Sequence, residues 1–141
     1  MTLGTPPQSV TVEIDTGSAD MWVATTKCVD CDSSKMATSK SSQKQYDGSA
    51  SSSYVEKRDA FHVGYGTGSV SGVLATEKID INGFDVDVQD FGAVFKKTGV
   101  LTTTPNKGLV GLCFCASEGY RSRVFRAGFW HHRDIQATAF L

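Results

Sequence analysis

From Ser9 to Ile14 apolar and polar residues alternate, with Val10, Val12 and Ile14 on one side of the chain and Ser9, Thr11 and Glu13 on the other. A period of two marks a strand with one buried face, so a half-buried strand is expected here. It runs into Asp15-Thr16-Gly17-Ser18, and Met21-Trp22-Val23-Ala24 comes next as a second apolar stretch. Asp15 is therefore expected on a loop between two strands. After Tyr54 the alternation returns at Phe61, Val63 and Tyr65. The glycine-rich run Gly64-Tyr65-Gly66-Thr67-Gly68-Ser69 then precedes Val70, Val73 and Leu74, which predicts a hairpin with a flexible tip. Ile79 and Ile81 lead to Asn82-Gly83, the strongest short hairpin signal, and Val86, Val88, Phe91, Ala93 and Phe95 are expected to continue the period of two. No window from Thr2 to Leu112 sustains an apolar i, i+3, i+4, i+7 stripe. The pattern predicts an all-β fold and argues against a helical or doubly wound α/β one.

Between Ser33 and Ser53 the chain is rich in Ser, Lys and Gln, includes Ser51-Ser52-Ser53, and is read as a solvated loop. The last stretch differs in residue usage. All nine lysines lie at or before Lys107, whereas Arg121, Arg123, Arg126 and Arg133 come after Gly119. Residues 1–112 hold 13 acids and 10 bases, a net charge of -3, while residues 113–141 hold 2 acids and 4 bases, a net charge of +2. The chain is accordingly divided into a domain over 1–112 and an atypical Arg-rich tail over 113–141. A shifted reading frame or a mispredicted exon end is favoured for the tail over a genuine basic extension.

At 141 residues and a net charge of -1, one domain is the default, and nothing in the bulk charge asks for nucleic acid or an anionic membrane. No apolar run approaches the roughly 20 residues of a membrane span. Met1 to Pro7 has neither the basic start nor the apolar stretch of a signal peptide, so any leader or pro-segment is expected upstream of Met1 or lost. The four cysteines fall in two tight pairs, Cys28/Cys31 and Cys113/Cys115. A zinc ribbon wants two Cys-x-x-Cys knuckles and a thioredoxin-like motif should open a helix. A small-loop disulfide at Cys28–Cys31 is preferred to either.

Hydrolysing a peptide without a metal or a covalent nucleophile takes a water activated by one carboxylate while a second, protonated carboxyl polarises the carbonyl. Two acids a few Å apart cannot both ionise cheaply, so one proton is shared and a base and an acid arise together. Asp15-Thr16-Gly17-Ser18 offers a carboxylate with small neighbours, a hydroxyl and free backbone N–H groups. Gly66-x-Gly68 lacks the third glycine of a nucleotide loop, because Ser71 stands at that offset. His62 has no recognisable Ser or Cys nucleophile motif to serve, and no Gly-x-Ser-x-Gly occurs.

Four segments in order resemble the amino-terminal lobe of the pepsin-like (A1) aspartic proteases. They are Leu3-Gly4-Thr5-Pro6-Pro7-Gln8, Asp15-Thr16-Gly17-Ser18-Ala19-Asp20-Met21-Trp22-Val23, Tyr65-Gly66-Thr67-Gly68-Ser69 and Gly108-Leu109-Val110-Gly111-Leu112. The resemblance covers about 110 residues and implies a single double-psi-type β-barrel lobe with a flap hairpin. It implies Asp15 as the catalytic aspartate, Ser18 bonded to its carboxylate, Gly17 leaving room for substrate, and Thr16 reaching toward the other lobe. Tyr65, Gly66 and Thr67 would form the flap over a polypeptide substrate, with Trp22 holding the Tyr65 hydroxyl and Leu109-Val110-Gly111 packing under the Asp15 loop. Cys28–Cys31 falls where the family closes a small disulfide loop. Neither a cofactor nor a metal is implied, and the compartment would be secretory or acidic and lumenal. A second Asp-Thr-Gly or Asp-Ser-Gly does not occur, so the carboxy-terminal lobe that completes the pair is expected outside this sequence. An inactive peptide-binding module and a homodimer with two Asp15 residues are the alternatives.

Overall fold

The computed structural model describes residues 1–29, 31 and 44–113. They form eight strands: β1 Thr2–Leu3, β2 Gln8–Ser9, β3 Val12–Asp15, β4 Met21–Val29, β5 Val55–Tyr65, β6 Gly68–Ile81, β7 Phe84–Lys97 and β8 Gly108–Gly111. Two short 3-10 turns, Gly48–Ala50 and Gly99–Thr102, are the helical content among the described residues. The predicted all-β lobe is thus observed. The strands make one sheet in the order β2-β1-β6-β7-β4-β8-β3, with β5 added along β6. Consecutive strands pair antiparallel across β5/β6 and β6/β7. By contrast β4 runs parallel to β7 and β3 parallel to β8, while β4 and β8 are antiparallel.

The two hairpins obey local chemistry. Asn82 and Gly83 sit at φ 54° and 92° between Ile81 and Phe84, the paired positive φ values of a turn whose twist suits the flanking strands. The Asp80 carboxylate accepts from Gly83 N at 2.9 Å. The other hairpin turns through Gly66-Thr67, pairing Tyr65 with Gly68.

The long apolar runs are explained by burial on both faces of the central strands. Met21 and Val23 of β4, Ala75 and Ile79 of β6, Phe91 and Ala93 of β7 and Val110 of β8 join one core cluster. Trp22, Val70, Val94 and Leu109, the residues of opposite phase, join Phe61 in a second. Period-two alternation still operates, but each phase meets its own core.

Three expectations need correction. Ile14 is 53% exposed, because β3 is an edge strand paired only to β8 and nothing among the described residues covers its outer end. Val88 and Phe95 do not continue the buried face of β7; they are 69% and 43% exposed. The register shifts twice along β6/β7, between Glu77 and Ile79 and between Ser71 and Gly72, each time with an extra residue on β7. Such a bulge reverses the phase of every later residue in the strand. Val88 and Phe95 lie in the bulges, and the inward positions pass to Gln89 and Lys97, which are 1% and 2% exposed.

Finally, the polar stretch is not wholly solvated. Tyr46 is fully buried, exchanges backbone hydrogen bonds with Ala24 and Thr26, and stacks edge-on against Phe91. Its hydroxyl donates to the buried Glu77 carboxylate. The proposed small-loop disulfide is present, joining Cys28 and Cys31 with Cα atoms 5.5 Å apart. Residues 114–141, nearly all of the Arg-rich tail, lie outside the described residues, as do 33–43 of the polar stretch.

Candidate active site

Asp15 is the last residue of β3, at the point where the chain leaves the sheet for the loop to β4. Its carboxylate is held twice. Oδ1 accepts from Gly17 N at 2.8 Å and Oδ2 from the Ser18 hydroxyl at 2.5 Å. Both bonds favour the charged form, the Ser18 hydroxyl more and the Gly17 N–H less, and they hold the carboxyl below its ordinary value. The side chain remains partly open to solvent.

β8 fixes this loop from beneath. Asp15 lies opposite Gly111 in the parallel β3/β8 register. Gly111 N donates to Asp20 O at 2.9 Å, Leu112 N to Asp15 O at 2.7 Å and Cys113 N to Ser18 O at 2.8 Å. Gly111 permits the approach, since a Cβ there would stand 2.5 Å from Ser18 O and 2.7 Å from Asp20 N. Leu109 and Val110 are buried on opposite faces of the sheet. The apolar-apolar-Gly segment therefore lies under the loop as the resemblance implied.

Trp22, the second residue of β4, is buried, and its Nε1–H donates to the Tyr65 hydroxyl at 2.9 Å. Tyr65 closes β5 immediately before the Gly66-Thr67 turn. Burial raises the Tyr65 phenol above its ordinary value; the Trp22 bond opposes this, and the charges of Asp20 and Asp15 add to it. The hydroxyl is thus within electrostatic reach of both carboxylates. Gly66 and Thr67 are exposed at the tip. The turn and the start of β6 are tied to the next segment: Val100 N donates to Thr67 O at 2.9 Å, and Ser69 N to the Thr98 hydroxyl at 2.9 Å. Thr16 and Gly17 are exposed on the loop.

The structure brings Asp15, Gly17, Ser18, Trp22 and Tyr65 to one end of the sheet. Cys28 and Cys31 are not part of that group; Cys28 is near the far end of β4, roughly 20 Å along the strand from Met21. Two further residues belong to the site's surroundings and were not singled out from the sequence. Burial raises the carboxyl of Asp20. Lys97 places its ammonium 5.1 Å from the centroid of the Trp22 ring. No local signal marks Lys97, which owes its position to the register with β6.

The sequence model of the eukaryotic aspartyl protease family matches residues 1–140. Major aspartyl peptidase 1 of Cryptococcus neoformans var. grubii is 36% identical over 121 residues, 84% of this chain and 23% of that protein. Cathepsin D of Gallus gallus is 36% identical over 113 residues, 79% of this chain and 27% of that protein. Rhizopuspepsin of Rhizopus chinensis is 33% identical over 115 residues, 81% of this chain and 27% of that protein. The chain spans about a quarter of the length of these curated relatives.

Proposed function

The chain belongs to the eukaryotic aspartyl protease family, and from that premise we propose that residues 1–112 are the amino-terminal lobe of an aspartic endopeptidase in which Asp15 is one of two catalytic carboxylates. The observation that carries this reading is the Asp15 carboxylate, gripped by Ser18 and Gly17 on a loop that β8 buttresses while one side stays open. The second carboxylate belongs to a carboxy-terminal lobe outside this sequence, for which the greater length of the relatives leaves room.

In this reading Asp15 is ionised and takes a proton from a water held between the two carboxyls, while the protonated partner donates a hydrogen bond to the scissile carbonyl. The water oxygen bonds to the carbonyl carbon. Collapse of the tetrahedral intermediate breaks the C–N bond as a proton passes to the leaving amine. Bonds that favour the charged form of Asp15 support its assignment as the base. Tyr65, Gly66 and Thr67 form the flap that closes over an extended polypeptide, with Trp22 orienting the Tyr65 hydroxyl. Exposed Ile14, on β3, and Leu112, just beyond the end of β8, stand next to the Asp15–Gly111 pair, an apolar edge suited to the second lobe, and Thr16 lies on the same loop. The compartment is secretory or acidic and lumenal, where the Cys28–Cys31 disulfide persists.

Cleavage of an unfolded protein at about pH 4 by the chain complemented with a carboxy-terminal lobe tests the proposal. Asp15→Asn should lower kcat by roughly three orders of magnitude or more. Retained activity in that variant refutes the assignment. The same assay on the 141 residues alone separates the alternatives: cleavage abolished by Asp15→Asn means a homodimer, and peptide binding without cleavage means a binding module.

A further inference from the structure

Lys97 is a buried cation with no carboxylate paired to it among the described residues. It is 2% exposed, and none of the salt bridges among the described residues includes it. The β7 bulge at Phe95 puts it there: Val94 pairs with Gly72, Lys96 with Ser71 and Lys97 with Val70, so Lys97 shares the inward face of Val70 instead of pointing to solvent. Its ammonium donates to the Asn106 carbonyl at 3.0 Å and sits 5.1 Å from the centroid of the Trp22 ring. The other face of this arrangement leads to the flap, because the same indole donates its Nε1–H to the Tyr65 hydroxyl at 2.9 Å.

We propose that Lys97 is a positioning residue for the flap: its ammonium, fixed by the Asn106 carbonyl, holds the Trp22 indole in the orientation from which it anchors Tyr65. The physical reason is the ring quadrupole. A desolvated cation is drawn to the electron-rich indole face, and the attraction resists rotation of the ring about its side-chain torsions. A neutral aliphatic side chain of the same length fills the space and leaves the ring free to tilt. Placing two cations in this region is electrostatically costly: Lys107, also buried, donates to the Cys31 carbonyl at 2.7 Å. Burial first, and Lys107 second, bring the Lys97 ammonium down to about 8. The remaining titratable groups on this path are Tyr65, bonded to the indole edge, and the Asp15 and Asp20 carboxylates whose charges reach Tyr65. Lys97 thus carries its charge throughout the acidic range in which a carboxylate pair works, and loses it in mildly alkaline solution.

The inference rests on the flap reading of Tyr65 only for its functional meaning; the contact itself is read without catalysis. The test uses the full 141-residue chain with Trp130→Phe, leaving Trp22 as the single indole. Its Nε1–H resonance and hydrogen exchange are tracked by NMR against pH. The resonance should move with a midpoint near that of Lys97, and exchange should quicken several-fold beyond the ordinary base-catalysed trend as the ammonium deprotonates. Lys97→Met should abolish the transition and give fast exchange at every pH, and Lys97→Arg should keep the indole protected. An indole signal in the parent that ignores pH from 6 to 10 overturns the proposal, even if the Met variant does not fold. Identical indole protection in a folded Lys97→Met chain overturns it as well. Should these results hold while the complemented enzyme fails to cleave peptide, the protease reading falls and the Lys97–Trp22–Tyr65 linkage stands.

Discussion

Gly111→Ala tests the claim that β8 is the support of the Asp15 loop. An added Cβ would lie 2.5 Å from Ser18 O, 2.7 Å from Asp20 N and 2.7 Å from Ser18 C. Ordinary contact between heavy atoms begins about 1 Å farther out. All three obstacles are backbone, so no side-chain rotation relieves them, and β8 and the loop must separate. That movement strains the bonds Gly111 N to Asp20 O, Leu112 N to Asp15 O and Cys113 N to Ser18 O. Overpacking alone costs about 1–3 kcal/mol, and each weakened bond adds up to about 1 kcal/mol. A loss of roughly 3 kcal/mol is expected, which for a domain of this size lowers Tm by about 10–13 °C. The assay is thermal and urea unfolding of the 141-residue chain monitored by circular dichroism, with amide exchange at Leu112 and Cys113 as a local reading. Gly64→Ala is the control, because a Cβ there meets nothing within 4 Å; its effect should stay within about 0.5 kcal/mol. If Gly111→Ala unfolds with the same midpoint as the control and leaves both amides protected, the buttress argument is wrong.

Two further outcomes turn on hydrogen bonds. Ser18→Ala removes the larger of the two influences that depress Asp15, so the Asp15 carboxyl should titrate higher, as read from its carboxyl carbon shift by NMR. A depressed folded-state value means that ionised Asp15 contributes stability above its unfolded value of 3.8, and that this is lost as pH falls through the folded value. The variant should therefore be less stable than the parent at neutral pH and converge with it in strong acid. Tyr46→Phe withdraws a donor from buried Glu77 and should cost about 1–3 kcal/mol. A double-mutant cycle with Glu77→Gln should show non-additivity, and additive losses would mean that the contact contributes nothing.

The local features were legible where neighbours in sequence decide them. Alternation at Phe61, Val63 and Tyr65 gave β5 its buried face, and Asn82-Gly83 marked the β6/β7 turn because few residues accept two successive positive φ values. Asp15-Thr16-Gly17-Ser18 could be read as an oriented carboxylate because Gly17 and Ser18 reach it from two and three residues away. Tyr46 could not be read as core. It sits in a polar stretch, and only the meeting of Ala24, Phe91 and Glu77 around it makes its position buried.

Taken alone, the sequence determined the strand class, the two hairpin turns and the local grip on Asp15, all of which depend on backbone sterics and contacts spanning a few residues. The tertiary structure decided the rest. The parallel pairing of β3 with β8 joins residues almost a hundred positions apart, and it is this pairing that sets Gly111 beneath the Asp15 loop. The two β7 bulges exist only in register with β6. They turn Gln89 and Lys97 inward and Val88 and Phe95 outward, against the hydrophobic order. A single added residue in one strand reverses every side chain after it, so burial along β7 is set by the partner strand and not by hydropathy.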